Sequence, residues 1–391
     1  MGDAIDEDEL APTALSCETG RDYEFGELMF ELEGDTEEFF NGVDLSYGDV
    51  RIRVPENAVG EHDIIKFDEV ASEQITITYT GNERRNLLSS STTGDKYVLV
   101  IRVSDDNDDS GKRKVAQNAD HYRTEMFGSN NRNLKSVFED CSNGKLRIKP
   151  ASATITNSKN WLTKRFRREF IDGVVDVKIP PNVDICGMHY KEAGNWAFAE
   201  NWLINSFLRD VEPGLDVHKM LILPDCVNFG ASNVMAWGEV NGKTTWLRSN
   251  SADQPRIHVH EFGHNLGMRH SGATNANDVY SSYGDGNGYM GNKAEDDKEG
   301  SAICFNAAKT WHLNWFPNHH ATVVPSTNVQ EFVLNSLADI GNEDDSNTNS
   351  KMILKLKSSQ STLFVNFNRA KGLYENVLDS NKVIITQQNS A

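Results

Sequence analysis

The chain has no apolar run long enough to cross a membrane. Its longest, such as Tyr97–Ile101, have strand length, against the roughly 18 consecutive apolar residues a spanning helix needs. No membrane span is therefore expected. There is no Cys-x-x-Cys pair among the five cysteines, which argues against thioredoxin-like chemistry and a cysteine-based zinc site. No Asn-x-Ser/Thr triplet occurs despite abundant asparagine, which counts against a glycosylating secretory route. The opening, Met1 to Leu10, has neither signal-peptide nor transit-peptide character. On that reading the chain is either cytosolic or exported by a signal outside this sequence. Internal repeats and low-complexity tracts are also absent.

Basic residues are scarce in one part only. Residues 1–95 carry 24 Asp/Glu against 6 Lys/Arg, a balance of −18, and the remainder is nearly neutral at −1 within a total of −19. The overall sign excludes nucleic acid as an expected partner. The step near residue 90 marks a boundary between an acidic segment and a body. With 391 residues and 38% hydrophobic content, the chain can bury a sizeable core and has room for two or three domains.

Short β-like runs, Val50–Val54 and Ile75–Thr80, give the acidic segment a β-rich character. Gly81–Asp95 has linker composition and holds the dibasic pair Arg84-Arg85, an exposed, cleavable kind of segment. Residues 1–95 are thus read as a β-rich pro-segment with its linker. Tyr97–Val103 reads as the first, buried strand of the body. The acidic turn Asp105–Asp109 reads as a solvated loop or a cation site, and a structural Ca2+ is the second candidate cofactor. One helix is expected over Val115–Phe138. The run Lys164–Arg168 resembles a protease site but reads as a solvated loop. A helix over Ala193–Leu208 would set Trp196, Ala199, Leu203 and Phe207 on one face. A hairpin signal, Asn241-Gly242-Lys243, separates two strands. After His319 four short runs repeat at sandwich-like spacing, so residues 319–391 are expected to form an all-β, sandwich-like domain, with truncation left open. Cys141, Cys186, Cys226 and Cys304 fall in the body. Four thiols suit two disulfides in an exported domain, with buried free thiols as the alternative.

The chemistry concentrates in His260-Glu261-Phe262-Gly263-His264-Asn265-Leu266-Gly267-Met268-Arg269-His270. Helical spacing places His260 and His264 on one face, one turn apart. Two such imidazoles can grip one Zn2+. Glu261 is placed to reach a water at the metal but not to ligate. Gly267 permits a left-handed backbone and a sharp exit from the helix, which can return His270 as third ligand. Three ligands leave a fourth position open, the mark of a catalytic rather than a structural zinc site. Glu261 then serves as general base for water attacking a peptide carbonyl. His258, some 200° around the helix from His260, reads as a packing or surface residue. His312, His319 and His320 have no ligand spacing to the motif, and His319-His320 reads as an exposed loop pair.

This extended motif resembles that of the metzincin zinc metalloproteases. The resemblance implies an α+β catalytic domain over 96–318, with a twisted mixed sheet and an active-site helix. It also implies a methionine turn beneath the metal, for which Met290 in Tyr283–Gly291 is the candidate. Some metzincins carry a metal-approaching tyrosine just after that methionine. Here Gly291 and Asn292 follow, and Tyr283 and Tyr289 are nearby but not at the matching position. Within the group the chain is most similar to the gametolysin family of cell-wall lytic proteases. Cys141-Ser142-Asn143-Gly144-Lys145, the Tyr283-Gly284-Asp285 loop and Phe305-Asn306-Ala307-Ala308-Lys309 carry that likeness. So does Leu313-Asn314-Trp315, with Asn314 where glycine is usual. His270-Ser271 would also suit the matrixins, although the long loop to Met290 suits them less.

The resemblance implies secretion, latency and a protein or glycoprotein substrate outside the cell. Matrixins achieve latency with a cysteine in a Pro-Arg-Cys-Gly setting. Cys17 lacks that setting, so a latency cysteine, a disulfide partner and a free thiol all stay open for it. The alternative function is a non-enzymatic adhesion or matrix protein on the same fold. Retention of Glu261 favours the enzyme. An aminopeptidase-type arrangement with a distant glutamate ligand is disfavoured by His270. Oligomeric state is not legible.

Overall fold

Seven consecutive residues, Val98–Ser104, are buried, and the larger part of the fold is organised around the strand that contains them. In the computed structural model the described residues are 92–129, 132–151, 172–201, 204, 217–230, 234–274, 279–291, 303–324, 329–339, 350–357, 362–371 and 379–388, together with five short strands nearer the N-terminus. The chain divides into two compact units, Met1–Leu88 with Ser390–Ala391, and Ser89–Asn389.

In the first unit the described elements are all strands: β1 (Leu15–Cys17), β2 (Leu28–Glu33), β3 (Val50–Arg53), β4 (Ile64–Lys66) and β5 (Thr76–Tyr79). β1 pairs antiparallel with β2, β2 parallel with β4, and β3 antiparallel with β5. The two runs singled out in the sequence are thus partners, β3 with β5. Cys17 closes β1; its side chain, like Arg84-Arg85, lies outside the described residues.

The second unit is α+β, with a mixed six-stranded sheet. β6 (Gly94–Ser104), β7 (Leu146–Pro150), β8 (Val174–Lys178), β9 (Val217–Leu223), β10 (Ala236–Gly238) and β11 (Thr244–Arg248) stand in the order β10-β11-β9-β6-β7. β8 lies beside the C-terminal half of β6, at Val100–Ser104, and β7 beside its first half. All pairs are parallel except β10 with β11. A parallel strand covered on both faces must be apolar throughout, which is why β6 reads as a continuous run rather than an alternation. Val98 and Val100 face one core layer, and Leu99, Ile101 and Val103 the other. β6 begins at Gly94, three residues before the expected start. Thr92 is already tied into this unit, its hydroxyl donating to the Leu313 carbonyl at 2.7 Å and its carbonyl accepting from the Trp315 indole at 2.6 Å.

Five helices are described in this unit: α1 (Ala119–Phe127), α2 (Leu134–Cys141), α3 (Tyr190–Glu200), α4 (Pro255–Asn265) and α5 (Ala307–Leu313). The single helix expected over Val115–Phe138 is two. The Gly128 N–H closes α1 on the Thr124 carbonyl, and Asn133 with Ser136 forms a capping box that starts α2. α3 also differs from expectation. It buries Tyr190, Ala193, Gly194 and Ala197 and packs Trp196 partly against the same core as expected, but leaves Ala199 exposed, while Leu203 and Phe207 lie outside the described residues. A Cβ at Gly194 would lie 2.6 Å from the Trp246 indole nitrogen, so close approach to the sheet sets part of the buried face.

After two short paired strands, β12 (Ala273–Thr274) and β13 (Tyr280–Ser281), the chain forms β14 (His320–Val323), β15 (Val333–Leu334), β16 (Ser350–Lys351), β17 (Ile353–Lys357), β18 (Thr362–Asn368) and β19 (Lys382–Gln388). Four of these make one sheet, β14-β17-β18-β19, in which β14 runs parallel to β17. The sheet packs on α5 through Trp311, whose ring stacks on His320 at 4.6 Å and meets Phe364 at 5.8 Å. Asn287 adds a polar link, donating to Asp379 and accepting from Asn368, both at 3.2 Å. No described helix is long and apolar enough to cross a membrane.

The four body cysteines form two disulfides, Cys141–Cys304 and Cys186–Cys226, spanning 163 and 40 residues. Cross-links restrict the unfolded chain more as the closed loop grows. The double variant Cys141→Ser/Cys304→Ser is expected to lose about 2–5 kcal/mol of stability, and about 1 kcal/mol more than Cys186→Ser/Cys226→Ser. Urea unfolding of both variants checks the size and the order.

Candidate metal centre

α4 carries the motif. Pro255 occupies its first turn, where a missing N–H costs nothing. Val259, Phe262 and Leu266 face the core, and Phe262 meets the Phe138 ring of α2 at 5.1 Å. The helix ends at Gly267, whose φ of +85° is left-handed. The Gly267 N–H bonds the His264 carbonyl at 2.8 Å, and the Met268 N–H bonds the Gly263 carbonyl at 3.1 Å. The reversal brings His270 back over the helix face.

The three imidazoles converge. Ring centroids are 4.9 Å apart for His260 and His264, 5.2 Å for His260 and His270, and 4.8 Å for His264 and His270. One nitrogen of each lies within 4.8 Å of the others, so the triad could hold a metal ion. The Nδ1 atom of His260 lies 2.7 Å from the Tyr289 carbonyl oxygen, and that of His264 lies 2.7 Å from the Met268 carbonyl. A carbonyl only accepts, so both Nδ1 atoms carry the proton and both Nε2 lone pairs face inward. The Nδ1 atom of His270 is buried without a hydrogen-bond partner among the described residues. Burial holds His260 down to about 4 and His270 to about 3, and burial with repulsion from its two neighbours holds His264 well below the usual range. All three are therefore neutral at pH 7, the form that ligates.

Glu261, 8% exposed, sits beside the triad. A Cβ at Gly238 on β10 would fall inside contact distance of the Glu261 carbonyl and 3.0 Å from its Oε2, so the bare backbone there makes room for the carboxylate. Met290 is buried beneath α4, its sulfur against Gly263. The Ser271 N–H bonds the Met290 carbonyl at 2.7 Å, and the Asp285 N–H bonds the Ser271 carbonyl at 3.0 Å. The Asn306 amide donates to Asp285 at 2.8 Å and to the Ser271 hydroxyl at 3.1 Å while capping α5. At the C-terminal end of α4, Asn265 donates to the Glu239 and Thr244 carbonyls at 3.0 and 3.2 Å.

Other residues fall elsewhere. His258 is fully buried away from the triad, its Nε2 2.9 Å from the Ala252 carbonyl, as a packing residue. His312 bonds the Leu266 carbonyl at 3.2 Å and so supports the end of α4, a role its spacing did not signal. His319 and His320 are half-buried rather than an exposed loop pair, and His320 opens β14 with its ring stacked on Trp311. In the acidic turn, Asp106 pairs with Arg102 at 2.6 Å and Asp105 with Arg113 at 3.4 Å, while Asp108 accepts from Ser110 and the Arg113 N–H. Among the described residues the only metal-competent cluster is the histidine triad. Sequence reasoning missed the roles of Asn265, Asp285, Asn306 and Tyr283. The Tyr-Gly-Asp and Phe-Asn runs were visible, but not the contacts they make.

Neutral burial sets an acid limit. His258 is held at about 4 by burial, alongside His260 and His270, against about 6.5 when unfolded. The unfolded chain takes up these protons first, so their contribution is complete above about pH 6.5 and is lost as pH falls toward 4. The urea midpoint of metal-free protein is expected to drop across that window; a flat profile would contradict neutral burial.

No protein-family model matches this chain, and no curated protein matches it either.

Proposed function

We propose that this chain is a zinc-dependent endopeptidase of the metzincin kind, most similar to the gametolysins, made latent and acting on extracellular or cell-wall proteins. The observation that carries the reading is the convergence of His260, His264 and His270 beside an intact Glu261, with Met290 packed beneath. Three neutral imidazoles are a donor set that fits Zn2+. His260 and His270 are only half-buried, in keeping with access for a substrate. When bound, zinc supplies Lewis acidity that makes a water acidic and polarises a peptide carbonyl.

The chain's own residues do the rest. The Tyr289 and Met268 carbonyls fix two imidazoles in the tautomer that presents Nε2. The Glu261 carboxylate accepts the proton of the attacking water and passes it to the leaving amine. Low exposure of Glu261 keeps bulk water from competing for that proton. No nucleophilic serine or cysteine takes part.

Glu261→Gln is expected to keep zinc and fold but to lower peptidase activity by about 10²–10⁴-fold. Wild-type turnover in that variant would remove Glu261 as the base. A chelator should abolish activity on a generic protein substrate, and added zinc should restore it.

Residues 1 to about 95 are proposed as an inhibitory pro-segment released near Arg84-Arg85. Its excess of carboxylates is suited to occupying a cationic centre. Limited trypsin treatment should raise activity in the wild type and not in Arg84→Ala/Arg85→Ala. Equal activity before and after cleavage would leave the segment an accessory unit.

A further inference from the structure

Two of the three histidines have a carbonyl partner at Nδ1, and the third has none among the described residues. A metal-ligating histidine ordinarily donates its second ring N–H, which fixes the plane of the ring. Something else must orient His270. The ring of Tyr283 lies against it, centroid to centroid 4.1 Å with a 38° tilt, and reaches His260 at 6.0 Å and 26°.

The backbone explains how Tyr283 arrives there. β12 and β13 pair Ala273 with Ser281 and Thr274 with Tyr280. The Gly284 N–H turns back onto the Ser281 carbonyl at 2.9 Å. The bond from the Asp285 N–H to the Ser271 carbonyl, at 3.0 Å, keeps the returning chain beside His270-Ser271. The Asn306 amide then holds both Asp285 and Ser271. Tyr283 is therefore carried by a clamped hairpin and not by a free loop.

We propose that Tyr283 is a positioning residue for the metal centre: its ring, laid against the imidazole of His270, orients that ligand in place of a hydrogen bond that Nδ1 does not make among the described residues. This rests on the reading that the triad holds a metal. An imidazole that gives its lone pair to a cation becomes electron-poor, and the π-face of an aromatic ring is suited to such a partner. The part of Tyr283 that meets His270 is its ring, and phenylalanine is expected to replace it.

The test measures Zn2+ affinity of the full chain by competition with a chromogenic chelator, and the visible spectrum of the Co2+-loaded protein. Wild type, Tyr283→Phe, Tyr283→Leu, Tyr283→Ala and His270→Ala are compared. Tyr283→Phe is expected to bind Zn2+ within about threefold of wild type with the same Co2+ spectrum. Tyr283→Leu, which keeps bulk without a π-face, and Tyr283→Ala are expected to bind about 10–100-fold more weakly, with altered Co2+ bands. Wild-type affinity and spectrum in Tyr283→Leu and Tyr283→Ala would overturn the proposal, as would a Tyr283→Phe variant as weak as Tyr283→Ala. His270→Ala reports on the ligand itself. If the wild type binds neither ion, it is the metal reading that fails, an outcome distinct from any difference among the Tyr283 variants.

Discussion

One helix can present two ligands on one face, but a third must come from outside it, and the reversal at Gly267 is the constraint on which this centre depends. Its backbone at φ +85° lets the chain turn within three residues of His264. The turn is reinforced on both sides. Asn241 donates its N–H to the His264 carbonyl at 2.9 Å, and His312 bonds the Leu266 carbonyl. A side chain at Gly267 would meet both the Asn241 amide and the His312 ring. The β10–β11 hairpin, the end of α4 and α5 are thus fitted around one point with no side chain.

Much of the centre was legible because it is local. The spacing of His260, Glu261, His264, Gly267 and His270 follows from the helical period and a left-handed exit. Asn314, noted as standing where glycine is usual, proves to sit at φ +53° just after α5, a helix-end conformation that asparagine tolerates. What stayed hidden depends on distant partners. Nothing near Tyr283 signals that a hairpin lays its ring on an imidazole 13 positions earlier. The face of α3 was read only in part: Trp196 packs against the core as periodicity expects, while Ala199 is exposed and Gly194 meets Trp246. The break between α1 and α2 turned on Gly128 and an Asn133 cap, each weaker as a pattern than the run it interrupts.

Packing three histidines together, His264 buried and His260 and His270 half-buried, has two effects that act in one direction. Loss of water disfavours the imidazolium, and the proximity of the other rings disfavours it further for His264 and His270. The metal-free site is therefore kept deprotonated, ready for a cation without releasing protons at neutral pH. Hydrogen bonds to the Tyr289 and Met268 carbonyls oppose the shift for His260 and His264, yet they also choose the tautomer. Orientation and electrostatics are thus separately set, by backbone carbonyls and by the surrounding apolar core.

The polar link at Asn287 ties the segment that ends at Met290 to the turn between β18 and β19. Asn368 and Asp379 hold one side of Asn287, and three residues further on the chain reaches the sulfur beneath the histidines. A graft that exchanged the C-terminal sheet for an unrelated module would leave that amide facing foreign neighbours. A crossover near residue 319 would separate Asn287 from Asn368 and Asp379, whereas one before Thr92 would leave this link intact.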